Sequence, residues 1–317
     1  MTDKGLNTRI LMFILAACLS AIAAMATQRV KIGEIYYHLD PETHTAEVAS
    51  AVPDSENMKY LKDADVEKYN AHYLSGKVVF PETVSHQGIQ YSVTGIGKKA
   101  LAYSPLQEVV IPMSVATIGE SAFMWSGLQS VTIMNPAIKM GKFAFSACRS
   151  LMDVNLPEGL AAIGEDAFNY AGIRNIRIPD SVTEIGLSAF RACENLESIT
   201  FPTGITTIPH EVCGNCKNLK KAVLPNGLTA IGSYAFIDCV SLMSINIPST
   251  VTIIDVGAFH GCKALPTLTV PAKASIEADA FYGAHGYKRG GSVGNKTNAK
   301  PSSNKKPETK KRTSIYD

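Results

Sequence analysis

The sequence predicts a repeat solenoid: a β-rich, right-handed coil of about nine repeats of 22–23 residues, with short helical turns and a small N-terminal β cap. Three observations predict this fold. Similar segments recur 22 or 23 residues apart, each opens with aliphatic residues that alternate with variable ones, and nearly all contain an Ala-Phe pair followed by a small residue three places later. The segments begin at Leu106, Leu128, Leu151, Ile173, Leu196, Leu219, Leu242 and Leu265.

The fourth of these segments, "IRNIRIPDSVTEIGLSAFRACEN", shows how each element is predicted. Ile176 and Ile178 alternate with Arg177, which is the period-two pattern of a strand with one buried face. Pro179 cannot donate a ladder hydrogen bond and ends that strand, and Gly186 permits a tight turn. One coil cannot bury its apolar side alone, so we expect stacked copies to align an interior column of phenylalanines: Phe123, Phe145, Phe168, Phe190, Phe236, Phe259 and Phe281.

The stretch Cys213-Gly214-Asn215-Cys216 matches the C-x-x-C pattern of thiol–disulfide enzymes. The repeat explains it differently, because Cys213 occupies the phenylalanine position and Cys216 the small-residue position. Buried free cysteine behaves as a small apolar residue, so we predict interior and mostly free thiols instead of a redox site. The small-residue column is Ser126, Cys148, Ala171, Cys193, Cys216, Cys239, Cys262 and Ala284.

Two β-hairpins are predicted before the regular repeats. The segment "GKVVFPETVSHQGIQYSVTGIG" fits the repeat with an insertion centred on Gly88, and "EIYYHLDPETHTAEV" alternates on both sides of a polar turn at residues 40–43. Terminal coils need an unusual edge, because one side of the first coil otherwise exposes unpaired backbone groups. We therefore expect residues 27–76 to form the β cap and residues 77–284 the solenoid.

The first 26 residues predict export. Lys4 and Arg9 precede the mostly apolar run 10–23, and Ala24-Met25-Ala26 provides a small-x-small cleavage pattern. Leu15-Ala16-Ala17-Cys18 also resembles a lipobox, so acylation at Cys18 is an alternative to simple secretion. Either alternative predicts a secreted, periplasmic or cell-surface protein, and no later segment has the length of apolar sequence that a transmembrane helix needs.

Residues 285–317 predict a disordered basic tail. From Tyr287 to Asp317 the chain has nine Lys or Arg against two acidic residues, a formal charge of +7, whereas the whole chain has +2. Few apolar side chains are available there to offset the entropy of ordering. The tail is either a solvated extension or a contact for anionic surfaces such as polysaccharide, lipopolysaccharide or nucleic acid, without specificity for nucleic acid.

The repeat strings "LQEVVIPMSVATIGESAFMWSG" and "LKKAVLPNGLTAIGSYAFIDCVS" resemble the BspA-like class of bacterial leucine-rich repeats, whose units carry I-P, I-G and A-F-x-x-C signatures. The resemblance covers about residues 77–284 and extends more weakly over the cap. It implies a leucine-rich-repeat coil that serves as a secreted or surface-displayed binding scaffold, with family members that act as adhesins. The chain departs from longer members in having few repeats and a basic C-terminus without a visible anchoring domain.

No catalytic or metal-binding signature stands out, so we predict no enzymatic activity, no cofactor and no metal. The predicted binding positions form two columns. The first is the variable position between the two strand aliphatics, either a partner-binding face or a set of residues that suit an exposed strand: Val110, Thr132, Asn155, Arg177, Thr200, Val223, Asn246 and Thr269. The second lies two places after the phenylalanine and contains Trp125 and Tyr170, which either contact a partner or pack on a neighbouring coil.

The predicted function is therefore adhesion or ligand recognition at the bacterial surface, with a host matrix protein, a glycan or another bacterium as the ligand. The alternative is a structural envelope protein whose solenoid edges or faces stack copies together. Exposed solenoid faces are compatible with either function.

Overall fold

The computed structural model describes residues 28–51 and 74–290, and the predicted signal peptide, Cys18 and residues 291–317 lie outside this part. The first three strands form an antiparallel meander, in which the second strand lies between the first and the third. The hairpin predicted around residues 40–43 joins the second strand to the third. The strands are β1 (Gln28–Ile32), β2 (Ile35–Asp40) and β3 (Thr45–Ala49).

Each coil then contributes one front strand and one back strand. The front strands are β4 (Gly76–Val79), β7 (Leu106–Ile111), β9 (Ser130–Ile133), β11 (Asp153–Asn155), β13 (Asn175–Arg177), β15 (Ser198–Thr200), β17 (Lys221–Val223), β19 (Ser244–Ile245) and β21 (Leu268–Val270). The back strands are β6 (Ile89–Ile96), β8 (Thr117–Ile118), β10 (Lys139–Met140), β12 (Ala162–Ile163), β14 (Glu184–Ile185), β16 (Thr207–Ile208), β18 (Ala230–Ile231), β20 (Ile253–Ile254) and β22 (Ser275–Ile276). Eight regular coils follow the interrupted first one, which confirms the solenoid.

Strands of successive coils pair in parallel, so equivalent residues of the repeat become direct neighbours. In the front ladder Asn175 lies opposite Ser198, and Ser198 lies opposite Lys221. The hydrogen-bonded front ladder is divided into segments after β11 and after β19, and the back ladder after β10 and after β14. The repeat therefore converts positions 22–23 residues apart into continuous columns along the solenoid.

The N-terminal strands close one end of the back ladder. β3 pairs in parallel with β6, which in turn pairs with β8, so the meander continues the solenoid sheet and covers its first back strand. The insertion in the first coil forms the predicted hairpin between β5 (Thr83–His86) and β6. Its two-residue turn contains Gln87 and Gly88, both with positive φ, as a type I′ turn requires.

The phenylalanine column is buried and stacked, as predicted. The rings of neighbouring coils have centroids 5.1 to 5.5 Å apart, and their planes lie within 5° of parallel except for Phe259 and Phe281, which are 20° apart. Aliphatic residues of the front and back strands surround the column and form one continuous core with it. The stack is interrupted at Cys213, which lies in the coil between those of Phe190 and Phe236.

The predicted short helical turn around the Ala-Phe pair is instead a turn without helix in the described residues. Residues two places before and two places after the phenylalanine have positive φ, for example Ser121 and Trp125 at 57° and 60°. The amides of Ser121, Phe123 and Trp125 donate to carbonyls of the next coil at 2.8–2.9 Å, and the amides between them donate three residues back. Alternate amides thus link the coils, which a helix cannot do because its amides bond along its own axis.

The glycine of the Ile-Gly pair is required by close approach between coils and not by its φ. A Cβ on Gly186 would lie 2.3 Å from the amide nitrogen of Glu165, and one on Gly164 would lie 2.4 Å from the carbonyl oxygen of Gly141. Both distances are far below van der Waals contact. At Gly164 and Gly186 the coils can therefore approach this closely only without a side chain.

The solenoid extends beyond its predicted boundary at residue 284. Strand β23 (Tyr287–Arg289) lies in the segment assigned to the tail, and it pairs in parallel with β21. Arg289 also donates to the carbonyls of Ala272 and Ala274 at 2.7 and 2.9 Å. The sequence did not indicate this strand, because Lys288 and Arg289 make its composition similar to that of the basic tail.

The coil that carries Cys213 compensates for its missing phenylalanine. At the last inward front position most repeats have Ile, Leu or Val, but this coil has Phe201, which is buried. The Phe201 ring packs edge-on against Phe236, with centroids 6.4 Å apart at 89°. The aromatic volume lost at Cys213 is therefore supplied from the opposite side of the same coil.

We expect Cys213→Phe alone to destabilise the protein by about 1–3 kcal/mol, because a second ring overpacks a core that Phe201 already fills. Phe201→Ile alone should also destabilise it by leaving a cavity. The double variant restores the regular repeat and should be more stable than the sum of the two single effects predicts. Urea or thermal unfolding followed by circular dichroism measures all four proteins, and additive effects within about 0.5 kcal/mol would contradict the exchange.

Candidate binding surfaces

The first predicted column lies on the solvent face of the front strands. Its members are all exposed or half-buried, and the inward positions on either side of them are largely buried. Within each ladder segment they are direct neighbours: Val110 opposite Thr132, Thr132 opposite Asn155, and Arg177 opposite Thr200. Thr200 lies opposite Val223, Asn246 follows directly after β19, and Thr269 lies in β21. The structure thus places the eight residues on one face.

Two further residues belong to this face but were not singled out from the sequence. Val79 lies opposite Val110 and its side chain is 61% exposed, and Lys288 lies opposite Thr269 at the other end. Val79 was missed because it belongs to the interrupted first coil, and Lys288 because its segment was assigned to the tail. The face is chemically mixed, with apolar residues concentrated in its first coils.

Arg177, the charged residue of the predicted column, is paired within the protein. Its guanidinium lies 2.9 Å from the carboxylate of Asp180 and 3.4 Å from that of Glu158. Hydrogen bonds from Thr203, reinforced by the Arg177 charge, hold the pKa of Asp180 below its ordinary value. An anionic ligand at Arg177 would therefore compete with two carboxylates.

The second predicted column is half-buried along the turns and is longer than the sequence indicated. Tyr103 stacks on Trp125 with centroids 6.5 Å apart and planes 3° from parallel. The guanidinium carbon of Arg149 lies 5.3 Å from the Trp125 ring and 5.8 Å from the Tyr170 ring, within the range of cation–π attraction. Arg149 thus connects Trp125 and Tyr170, which lie two coils apart. Both aromatic residues are half-buried, which is compatible with contact to a partner and with packing on a neighbouring coil.

The cysteines are structural. The described residues contain six free thiols, all of them buried: Cys148, Cys193, Cys213, Cys216, Cys239 and Cys262. In the small-residue column each Sγ donates to a carbonyl of the preceding coil at 3.0–3.1 Å, as Cys193 does to Phe168 and Cys216 to Phe190. The C-x-x-C stretch therefore forms part of the core, and the structure confirms the prediction of buried free thiols.

Several ionisable side chains of the described residues form ion pairs between coils. Lys98 pairs with Glu120 at 3.0 Å and Lys142 with Glu165 at 2.9 Å, all at the position after the Ile-Gly glycine. Across residues 28–51 and 74–290, no three His, Cys, Asp or Glu side chains are grouped so that they could hold a metal ion. The same residues include no helix of the length and apolar character that crossing a bilayer requires.

Parallel short strands, an aliphatic core and a repeat of 22–23 residues define a leucine-rich-repeat solenoid. The family model for the BspA-type leucine-rich repeat region matches residues 79–197 and 161–288, with six copies of the repeat. The chain therefore belongs to the BspA-type leucine-rich repeat family. This confirms the resemblance on which the sequence analysis relied.

Solved structures show the same fold. A leucine-rich repeat protein from Bacteroides ovatus superposes with a TM-score of 0.65 at 25% identity, over 82% of this chain and 71% of that one. The leucine-rich repeat protein of T. pallidum superposes with a TM-score of 0.52 at 24% identity, over 75% of this chain and 91% of that one. No curated protein matches the sequence.

Burial of the thiols predicts how stability depends on pH. Burial raises the pKa of Cys148 and of Cys262 from an ordinary value of 9.0 to about 12. Between these values the unfolded chain loses protons that the folded chain keeps, so the contribution of these two thiols to the free energy of unfolding should be complete below about pH 8 and should be lost as the pH rises from 9 towards 12. Urea unfolding at several pH values measures this.

Cys148→Ala should make this pH dependence shallower, because one of the titrating groups is removed. In the native protein at pH 8 the six described thiols should not react with a thiol reagent, whereas all six should react after denaturation. Rapid modification of Cys213 or Cys216 in the native state would contradict their burial.

Proposed function

We propose that this leucine-rich-repeat protein is a non-enzymatic binding scaffold that works outside the cytoplasm, at the bacterial surface. The observation that supports this most directly is the contrast between the two sides of the front strands. The inward positions repeat the same aliphatic residues, whereas the outward column contains Val, Thr, Asn and Arg on one accessible face. An invariant interior with a varied exterior is what a recognition surface on a repeat scaffold needs.

The location outside the cell rests on the sequence of residues 1–26, with cleavage after Ala26 or acylation at Cys18 as the two alternatives. Secretion, the periplasm and the cell surface are all compatible with these signals. The proposed ligand is a protein or a glycan met there, such as a host matrix protein or a polysaccharide of another bacterium. The basic segment after residue 290 would add attraction to anionic surfaces.

An open edge favours a second candidate, self-association. In the described residues β22 pairs with β20 alone. The amides of Asp279, Phe281 and Gly283 in the last described turn have no carbonyl of a following coil to donate to within these residues. Unpaired edges are templates for contact with another chain. The meander β1–β3 covers the other end of the back ladder, so copies would meet at their C-terminal ends. Sedimentation over a range of concentrations separates the candidates, because a monomer throughout contradicts assembly.

A binding screen of the mature protein against matrix proteins and glycans tests the proposed function. For a ligand on the front face, Arg177→Glu should lower affinity about tenfold or more, because it reverses a charge within the contact. Lys139→Glu is the matched control, since it reverses an exposed charge on a back strand. For a ligand on the second column, Trp125→Ala should have a similar effect.

Both front- and back-strand variants should keep their unfolding temperature within a few degrees, because exposed substitutions change stability little. A form that lacks residues 291–317 measures the contribution of the basic segment, which should diminish steeply with added salt. If a ligand binds with the same affinity after Arg177→Glu and after Trp125→Ala, neither column contains its binding site.

A further inference from the structure

Arg149 differs from the other arginines in its contacts. The described part of the chain contains six arginines, and five of them reach an oxygen acceptor: Arg29 and Arg289 bind carbonyls, and Arg174, Arg177 and Arg191 pair with carboxylates. Arg149 has neither kind of partner among the described residues, and its contacts are the rings of Trp125 and Tyr170. Its positive charge is therefore available to a ligand.

The chain builds a specific place for this guanidinium. Trp125, Ala147 and Tyr170 occupy the same turn position in three successive coils, so Ala147 leaves a gap between two aromatic rings. The coil with Ala147 has one residue more than its neighbours at the end of the turn, and this places Arg149 in the gap. The adjacent coils have Gly127 and Gly172 there, and a Cβ on Gly172 would lie 2.2 Å from the carbonyl oxygen of Arg149. We call Trp125, Arg149 and Tyr170 the arginine clamp.

The clamp prepares Arg149 to bind an anion. Rings on both sides restrict the guanidinium, so less side-chain entropy is lost when a ligand binds. The guanidinium carbon lies over both rings, its N–H donors have no acceptor among the described residues, and Arg149 is exposed to solvent. The rims of the stacked aromatic rings carry partial positive charge, so they favour an acceptor at the same place.

We propose that the arginine clamp recognises the carboxylate or sulfate group of an acidic glycan. The proposal rests on the proposed binding function and names a ligand class for its second column. The amides of Phe123, Trp125, Phe145 and Ala147 already donate to the next coil, so they are not available to a ligand. An extended peptide would need such amides to bind as an added strand, whereas a glycan uses its hydroxyls and its acidic group with side-chain donors and aromatic rims.

Trp125 provides a direct measurement, because it is the only tryptophan in the sequence. Its fluorescence is to be titrated in the full mature chain with short sulfated heparin fragments, with oligogalacturonate, with neutral dextran fragments and with oligoglutamate. We expect a saturable change in fluorescence with the sulfated or the carboxylated glycan and no change with dextran. The acidic glycan that binds more tightly shows whether the clamp prefers sulfate or carboxylate. Stronger binding of oligoglutamate, or no change with either acidic glycan at low salt, would overturn the proposal.

Three variants test the clamp itself, and each keeps the basic C-terminal segment so that its contribution cancels. Arg149→Gln should weaken glycan binding about tenfold or more, since a charge-assisted contact is lost. Arg149→Lys keeps the charge but loses the planar group, and it should lose most of the affinity as well. Lys139→Gln removes an exposed positive charge from a back strand and should leave glycan affinity unchanged.

Wild-type affinity in Arg149→Gln, or in Arg149→Lys, would overturn the clamp as the site. Loss of glycan binding in Arg177→Glu but not in Arg149→Gln would place the glycan on the front face, so the clamp would fail while the proposed binding function stands. Circular dichroism and the unfolding temperature of each variant show whether the fold is intact.

Discussion

The structure depends on the packing of each phenylalanine ring against the ring of the next coil. A coil loses conformational entropy over all of its 22–23 residues when it is ordered, and its apolar side chains are removed from water only by contact with the coils on either side. No coil offsets its own ordering, and only the sum over shared interfaces does. The centroid spacing of 5.1 to 5.5 Å lies close to the spacing of about 4.8 Å between paired strands, so ring stacking and strand pairing are satisfied together.

The turns follow from the same constraint. Residues such as Ser121, Trp125 and Tyr170 adopt positive φ although they are not glycine, a conformation that costs about 1–2 kcal/mol for an L-residue. Each such turn directs alternate amides towards the next coil, and the hydrogen bonds formed there offset the cost. The backbone of the turn is therefore satisfied by the neighbouring coil, which is a second reason why a coil is unstable alone and why the ends of the stack need special strands.

The regular columns could be predicted from the sequence because they depend only on period and burial. Phe190, Cys193 and the outward Thr200 each recur at a fixed offset, and the structure places each on the expected side. The turn conformation could not be predicted, since neither glycine nor asparagine marks most of the positive-φ positions. The interchange of Phe201 and Cys213 did leave a signal, namely an aromatic residue at an aliphatic position in the one regular repeat that lacks its phenylalanine.

The arginine clamp shows why a site on a repeat scaffold can be hidden in its sequence. Trp125 and Tyr170 are 45 residues apart, and Arg149 occupies a different position of the repeat, so no spacing rule connects the three. They meet because Ala147 leaves a gap between the two rings, and the distance between successive coils sets the width of this gap. The guanidinium of Arg149 fits there, between rings two coils apart. The geometry of such a site belongs to the stack, whereas its chemistry belongs to a few variable positions. Recognition can therefore change by substitution at those positions without disturbing the columns that hold the coils together.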